Sequence, residues 1–210
     1  MLHIKIFTFN PFQENTYILY NDQREAWIID PGMMLPEEYD TFFGFIEQEN
    51  LKPVQIINTH AHIDHILGIE AVKLKYNIPF GVHEAELPVI ENAKQSAEMF
   101  GLPFDGALAP DFFLKEGAMT LGTDTLQLLL CPGHSPGSIV FYNEAEGYAI
   151  GGDVLFQRSI GRTDLKGGNH DDLINSIKKK LFVLPETTRI YPGHGPYTTI
   201  GVEMRENPFL

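Results

Sequence analysis

Three histidines and an aspartate within six consecutive positions constrain this chain more than any other feature of its sequence. They are His60, His62, Asp64 and His65. His60 and His62 are two residues apart and can point the same way from an extended segment, whereas Asp64 and His65 lie beyond a predicted bend and can face a second point. Imidazole and carboxylate together suit zinc, iron, manganese or cobalt, and the lack of thiolates argues against a closed structural zinc site.

Three further residues of the same chemistry occur in the same structural context. His134 lies in a turn rich in Pro and Gly, Asp153 follows the apolar segment 149–152, and His194 follows the predicted strand 189–191. Each comes after a predicted strand and lies in or before a turn, where a rigid scaffold presents its functional loops. A lone histidine is usually a core or surface residue. Five of the 8 histidines lie at such junctions, however, and together they predict a metal centre.

Hydrophobic periodicity predicts short strands interrupted by helices. Alternating or continuous apolar runs predict strands at 3–9, 16–20, 26–29, 54–57, 80–82, 112–114, 126–130, 139–142, 148–150 and 189–191. Helical spacing predicts helices after Pro36 and at about 65–76, 84–99 and 171–182. No low-complexity segment or linker divides the sequence. We therefore expect two packed mixed sheets covered outside by helices, in one or at most two domains of the α/β or α+β class.

The order and spacing of the candidate ligands resemble the signature of the metallo-β-lactamase superfamily. The residues that carry this resemblance are, in order, His60, His62, Asp64, His65, His134, Asp153 and His194. The segments 151–156 and 159–164 and the ending 197–203 resemble the glyoxalase II-like branch, above all its short members. The resemblance covers the chain from the turn at 30–32 to the C-terminus. It implies a single α+β domain over residues 1–210, with the αβ/βα four-layer sandwich of that superfamily.

The same resemblance implies two metal sites that share one bridging carboxylate, from Asp153. The first site would be held by His60, His62 and His134. The second would be held by Asp64, His65 and His194. Asp64 would also orient the attacking hydroxide, and Asp30 would orient a ligand imidazole. Two divalent ions are implied, with zinc as the expected metal and iron or manganese as alternatives.

The implied activity is hydrolysis of a thioester of the hydroxyacylglutathione type by metal-bound hydroxide. Longer glyoxalase II enzymes carry a C-terminal helical domain that binds glutathione. Sixteen residues follow His194 here, so the thiol-binding residues of that domain are not carried over.

Two alternatives stay open. One is a mononuclear iron enzyme resembling persulfide dioxygenases, which share much of the motif and the segment at 161–164. The other is a hydrolase of another ester or lactone. β-Lactamases of the best-known subclass carry Cys where Asp153 stands, which disfavours β-lactam hydrolysis as the main activity.

Arg162 is the candidate for substrate binding. It lies nine residues after Asp153 in a glycine-flanked segment that could loop back over the metals. A guanidinium there could pair with a carboxylate in a two-point contact. The expected partner is therefore a small, anionic thioester substrate.

Charge and cysteine content restrict the other partners and the compartment. The chain has 15 Lys+Arg against 28 Asp+Glu and a formal net charge of -13, which disfavours nucleic acid and anionic membranes. The one cysteine, Cys131, cannot form an intrachain disulfide and is expected to be a small buried apolar residue. The N-terminus lacks a signal-peptide pattern, and no apolar run is long enough for a bilayer, so a cytoplasmic enzyme is expected.

Overall fold

The computed structural model describes residues 1–106 and 108–210, and two mixed six-stranded sheets form its centre. The first sheet contains, in spatial order, β1 (Leu2–Phe9), β2 (Glu14–Asn21), β3 (Glu25–Ile29), β4 (Lys52–Ile57), β5 (Phe80–His83) and β6 (Phe112–Leu114). Strands β1 to β3 pair antiparallel. Strands β3 to β6 pair parallel.

The second sheet is antiparallel except at one pair. It contains β7 (Gly117–Leu121), β8 (Asp124–Leu130), β9 (Ile139–Asn143), β10 (Tyr148–Gly152), then β13 (Arg189–Pro192) and β14 (Thr198–Thr199). Strands β10 and β13 are parallel. Between them in sequence lies a two-stranded hairpin of β11 (Leu155–Phe156) and β12 (Ser159–Ile160).

Helices cover both outer faces of the paired sheets. They are α1 (Pro36–Gln48), α2 (Ile69–Tyr76), α3 (Leu87–Glu91), α4 (Ala93–Phe100), α5 (His170–Ser176) and α6 (Ile200–Glu206). Among the residues described, no helix is long and apolar enough to cross a bilayer.

Alternation along the strands produces the layers. In β2, Tyr17 and Leu19 belong to the apolar cluster between the sheets, whereas Ile18 packs in the cluster that contains Phe42 of α1. In β9, Phe141 lies between the sheets. Because successive side chains of a strand point to opposite faces, each strand contributes to two cores. The predicted α+β fold with two mixed sheets covered by helices is confirmed.

The helix predicted at 65–76 begins later than expected. It starts at Ile69, and a single 3₁₀ turn, Ile63–His65, precedes it. The side-chain amide of Asn58 donates to the carbonyl oxygens of His60 at 3.3 Å and His65 at 2.8 Å. These bonds hold the ligand segment as a tight loop rather than as a first helical turn.

Other boundaries also differ from the predictions. The segment predicted as one helix at 84–99 is a 3₁₀ turn, Glu84–Glu86, followed by α3 and α4. The helix predicted at 171–182 is confirmed, but beyond α5 it continues as a π-helical segment, Ile177–Leu181. The sequence-based prediction omitted the strands β7, β11, β12 and β14 and the helix α6.

Candidate metal centre

The seven predicted ligands lie together at one edge of the sandwich. Four of them follow β4, and His134, Asp153 and His194 follow β8, β10 and β13. Because β10 and β13 are parallel, their carboxyl ends open on the same side, which is where open sheets commonly carry their ligand sites. Strand order therefore gathers residues that are far apart in sequence.

The ligands form two clusters. In the first, His60, His62 and His134 each offer an atom within 4.8 Å of the others, and His62 Nδ1 lies 2.8 Å from His134 Nε2. In the second, Asp64, His65 and His194 meet the same limit. There, Asp64 Oδ2 is 3.2 Å from His194 Nε2.

Asp153 lies between the clusters. Its Oδ2 is 3.5 Å from His134 Nε2 and 3.5 Å from His194 Nε2, and its Oδ1 is 3.6 Å from His65 Nε2. Gly193 makes this approach possible, because a Cβ at that position would stand 2.1 Å from Asp153 Oδ1. One carboxylate can therefore reach atoms of both clusters.

Asp30 orients two of the histidines from behind. This fully buried carboxylate accepts from Thr59 N at 2.7 Å and Thr59 Oγ1 at 2.6 Å, and His65 Nδ1 donates to it at 3.1 Å. Because the Thr59 hydroxyl donates to Asp30, it accepts from His60 Nδ1 at 3.0 Å. Asp30 thereby holds each of the two imidazoles in the tautomer whose Nε2 faces the centre. Carboxylates behind the ligands have this role at metal sites.

Backbone carbonyls orient two more histidines in the same way. His134 Nδ1 donates to the carbonyl of Arg162 at 2.8 Å. His194 Nδ1 donates to the carbonyl of Phe12 at 3.0 Å. In both rings this contact directs Nε2 at the centre.

Unpartnered polar atoms show that the residues present fit a bound cation. His60 Nε2, His65 Nε2 and Asp153 Oδ1 are buried and have no hydrogen-bond partner among the described residues. A buried polar atom without a partner costs about 1–3 kcal/mol. Three such acceptors converge here, and a divalent ion is the species that would satisfy all of them.

The first cluster carries neutral imidazoles. Burial lowers the pKa of His60 well below its ordinary value. Burial together with the nearby His134 lowers the pKa of His62 to about 3. Neutral imidazole is the form that ligates a metal.

Carboxylates and histidines around the second cluster stabilise each other's charged forms. Burial raises the pKa of Asp153, but His65 and a hydrogen bond with His194 outweigh burial and hold that pKa well below its ordinary value. Burial also opposes the charged form of His194, yet hydrogen bonds with Asp153 and Asp64 raise its pKa to about 11. Ionised carboxylates thus sit beside the neutral imidazoles of the first cluster, and both are ligand types for a divalent ion.

Glu86 supports the centre from outside the candidate ligand set, and the sequence did not indicate it. It is fully buried, and its carboxylate accepts from Ala61 N at 2.9 Å, Gly137 N at 2.6 Å and Ser135 Oγ at 2.7 Å. Ala61 separates two candidate ligands, and Ser135 follows His134. Glu86 therefore ties together the two loops that form the first cluster.

Arg162 lies in the cleft above the centre, as predicted, but its guanidinium has a partner. It donates to both carboxylate oxygens of Asp164, at 2.7 and 2.6 Å. The role of Arg162 in substrate binding stays a prediction, and Asp164 is the group that a substrate carboxylate would displace. Cys131 is buried and not among the clusters, and burial raises the pKa of its thiol to about 12.

This combination of fold and ligand geometry is found in a known family. The family model of the metallo-β-lactamase superfamily matches residues 9–194. The chain belongs to the metallo-β-lactamase superfamily. It is 38% identical over 212 residues to hydroxyacylglutathione hydrolase GloC of Haemophilus influenzae, in an alignment that covers 100% of this chain and 98% of that protein.

Two solved superfamily structures are similar over nearly the whole chain. BLEG-1 B3 metallo-β-lactamase has a TM-score of 0.90 and 43% identity and covers 99% of both chains. TTHA1623 in a di-iron-bound form has a TM-score of 0.88 and 37% identity and covers 98% of this chain and 100% of the other. Together, the superfamily fold and the His/Asp clusters indicate a binuclear site for divalent metal ions in a metallo-hydrolase scaffold.

Proposed function

We propose that this protein is a binuclear metal-dependent hydrolase that cleaves a thioester of the hydroxyacylglutathione type. The observation that carries the proposal is the pair of His/Asp clusters on either side of Asp153 at the floor of an open cleft. Full-length similarity to GloC supports the thioester class.

In this proposal His60, His62 and His134 hold one ion, and Asp64, His65 and His194 hold the other. Asp153, which lies between the two clusters, would help to hold both ions. Zinc is the proposed metal. Iron is the main alternative, because the similar TTHA1623 is described in a di-iron-bound form and imidazole with carboxylate suits both metals.

When bound, divalent ions would lower the pKa of water and polarise the carbonyl that is attacked. The chain's own residues supply position and proton acceptance. Asp64 lines the cleft, and its carboxylate can accept a hydrogen bond from the attacking water and so orient it toward the scissile carbon. Asp30 holds His65 directly, and His60 through Thr59, in the tautomers that ligation needs.

Arg162 is proposed to bind a carboxylate of the substrate. It lines the cleft beside His134, and a planar guanidinium suits a two-point contact with a carboxylate. An anionic substrate would have to replace Asp164 in this contact. The binding free energy from Arg162 would therefore be the difference between two carboxylate contacts, and not the full energy of pairing a free cation.

β-Lactam hydrolysis is the second candidate function, because 43% identity links the chain to BLEG-1, which is described as a B3 metallo-β-lactamase. The two candidates share a hydroxide attack on an acyl carbon and differ in the leaving group. Substrate preference rather than the ligand set therefore distinguishes them.

The test is metal analysis combined with a substrate panel. Protein purified without chelator is expected to hold close to two metal ions per chain and to hydrolyse S-lactoylglutathione faster than a simple ester, a lactone or a cephalosporin. His194→Gln is expected to lose one ion, whereas His170→Gln, at an exposed position outside the clusters, keeps both. One tightly held iron with oxygen uptake on a persulfide would instead establish the dioxygenase alternative.

A further inference from the structure

The cleft above the metal centre has two chemically different sides. It has a volume of about 760 Å³, which is within the range of small-molecule sites. Residues from the β1–β2 loop, from α3 and α4, from the β11–β12 hairpin and from the segment after it line its walls. These segments approach different histidines, so the two sides can be compared directly.

Aromatic rings form the side next to His194. The carbonyl of Phe12 accepts from His194 Nδ1. The ring of Phe12 meets that of Phe100 edge to face, with 5.3 Å between centroids. On the other flank of His194, the ring of Phe156 lies 6.3 Å from the imidazole. Met99 of α4 lines the same cleft.

Polar groups predominate on the side next to His134. Arg162 is fixed there by its carbonyl, and its guanidinium is paired with Asp164. Lys166 and Leu165 follow in the same segment and also line the cleft. The two ends of a bound substrate therefore meet different surfaces.

Several large apolar side chains of the aromatic side are open to solvent. Met99 is 73% exposed, Phe100 46% and Phe12 37%. Clustered exposed apolar groups of this size mark binding surfaces. These side chains lie at the mouth of the cleft, next to the His194 side of the centre. The group that fits them is therefore part of the molecule that is hydrolysed.

We propose that the substrate of this site is a thioester or ester bearing an apolar acyl chain or an apolar thiol, and that this group packs on Phe12, Met99 and Phe100. The inference rests on the proposed function and specifies its substrate class. The apolar group leaves water on binding, so kcat/KM should increase with the length of this group. Each buried methylene is worth about three- to fourfold in binding or in kcat/KM.

The experiment measures kcat/KM of the metal-loaded protein on two series. One is a set of N-acetylcysteamine thioesters with acyl chains from acetyl to hexanoyl, and the other is a set of acetyl thioesters of alkanethiols of increasing length. A rise of about threefold per methylene in one series is expected, and the series that rises identifies the group bound. Phe100→Ala and Met99→Ala should flatten that rise. Phe209→Ala and Leu74→Ala, which remove exposed apolar surface outside the cleft, should not.

A flat profile in both series for the unmodified protein would overturn the proposal, as would a rise that Phe12→Ala, Met99→Ala and Phe100→Ala all leave unchanged. Calorimetric titration with non-hydrolysable thioethers of the same lengths separates this inference from the proposed function. If thioether affinity rises with length but no thioester or ester is turned over, the proposed hydrolase activity is refuted and the apolar contact with Phe12, Met99 and Phe100 is retained. If substrates are turned over without length dependence, the hydrolase activity is retained and the apolar contact is refuted.

Discussion

Glu86→Gln tests whether a buried carboxylate outside the ligand set controls metal binding. Glu86 is a positioning residue, because it contacts the backbone beside the ligands rather than the centre itself. All of its hydrogen bonds come from donors, namely the N–H groups of Ala61 and Gly137 and the hydroxyl of Ser135. These three donors fit the ionised form of the Glu86 carboxylate, which only accepts hydrogen bonds. Glutamine keeps the shape but turns one acceptor into a donor.

The magnitude follows from those contacts. One of the two backbone N–H groups would face the new amide N–H₂ and lose its acceptor in a site that is fully buried. An unsatisfied buried donor costs about 1–3 kcal/mol. Loss of an outer partner of a metal site typically lowers metal affinity by about 10–100-fold. We therefore expect Glu86→Gln to weaken the site of His60, His62 and His134 by at least about tenfold, and the other site less.

The assay is competition between the protein and a chromophoric chelator, with unfolding of the metal-free protein followed in parallel. Glu84→Gln is the matched control, because Glu84 lies in the same 3₁₀ turn but is exposed. If Glu86→Gln lowered the stability of the metal-free protein but bound both metals with unchanged affinity, Glu86 would be structural only and the positioning role would be wrong.

Three further predictions concern single side chains. Asp64→Asn should lower kcat by about 10²–10⁴-fold in a folded protein, because an amide cannot accept a proton from the attacking water; near-native kcat in a metal-loaded variant would contradict the role. Arg162→Ala should raise KM for a carboxylate-bearing thioester more than for its methyl ester, and Asp164→Asn should lower it. Equal losses for both substrates would assign Arg162 to holding its loop. Cys131, whose pKa burial raises to about 12, should resist iodoacetamide at pH 8 until the protein unfolds. Its folded pKa exceeds the unfolded value, so its contribution to stability is present below about pH 9 and is lost as pH rises toward 12. Cys131→Ala should remove that part of the alkaline slope in the free energy of unfolding.

The clustering of the candidate ligands was predictable because their signal is local. His60 and His62 are separated by one residue after an apolar strand, and His134, Asp153 and His194 each follow a strand of their own. Strands are recognisable from alternation, and strand ends are where a sheet presents functional groups. The paired sheets follow from the same alternation, since Tyr17 and Ile18 can be assigned to opposite faces without knowledge of the partner strands.

The support of those ligands was not predictable, because it depends on contacts between distant segments. Glu86 stands in a segment that predicts a helix, and its three donors come from residues 61, 135 and 137. A carboxylate in a predicted helix is ordinarily a solvated surface group. Only the fold brings those donors around it and turns a surface residue into a buried one.

The exposed apolar residues of the cleft show what helical periodicity leaves open. Helical spacing places Ala93, Ala97 and Phe100 on one face of α4. Ala93 and Ala97 are buried, but Phe100 is half exposed. The helix ends there, because Gly101 takes the left-handed conformation with φ of 66°, and the last turn lies over the cleft opposite Phe12. Periodicity identifies which residues share a face. Whether that face meets the core or a substrate depends on where the helix stops relative to the strand ends, and it is that geometry that makes Phe100 a residue for substrate selection.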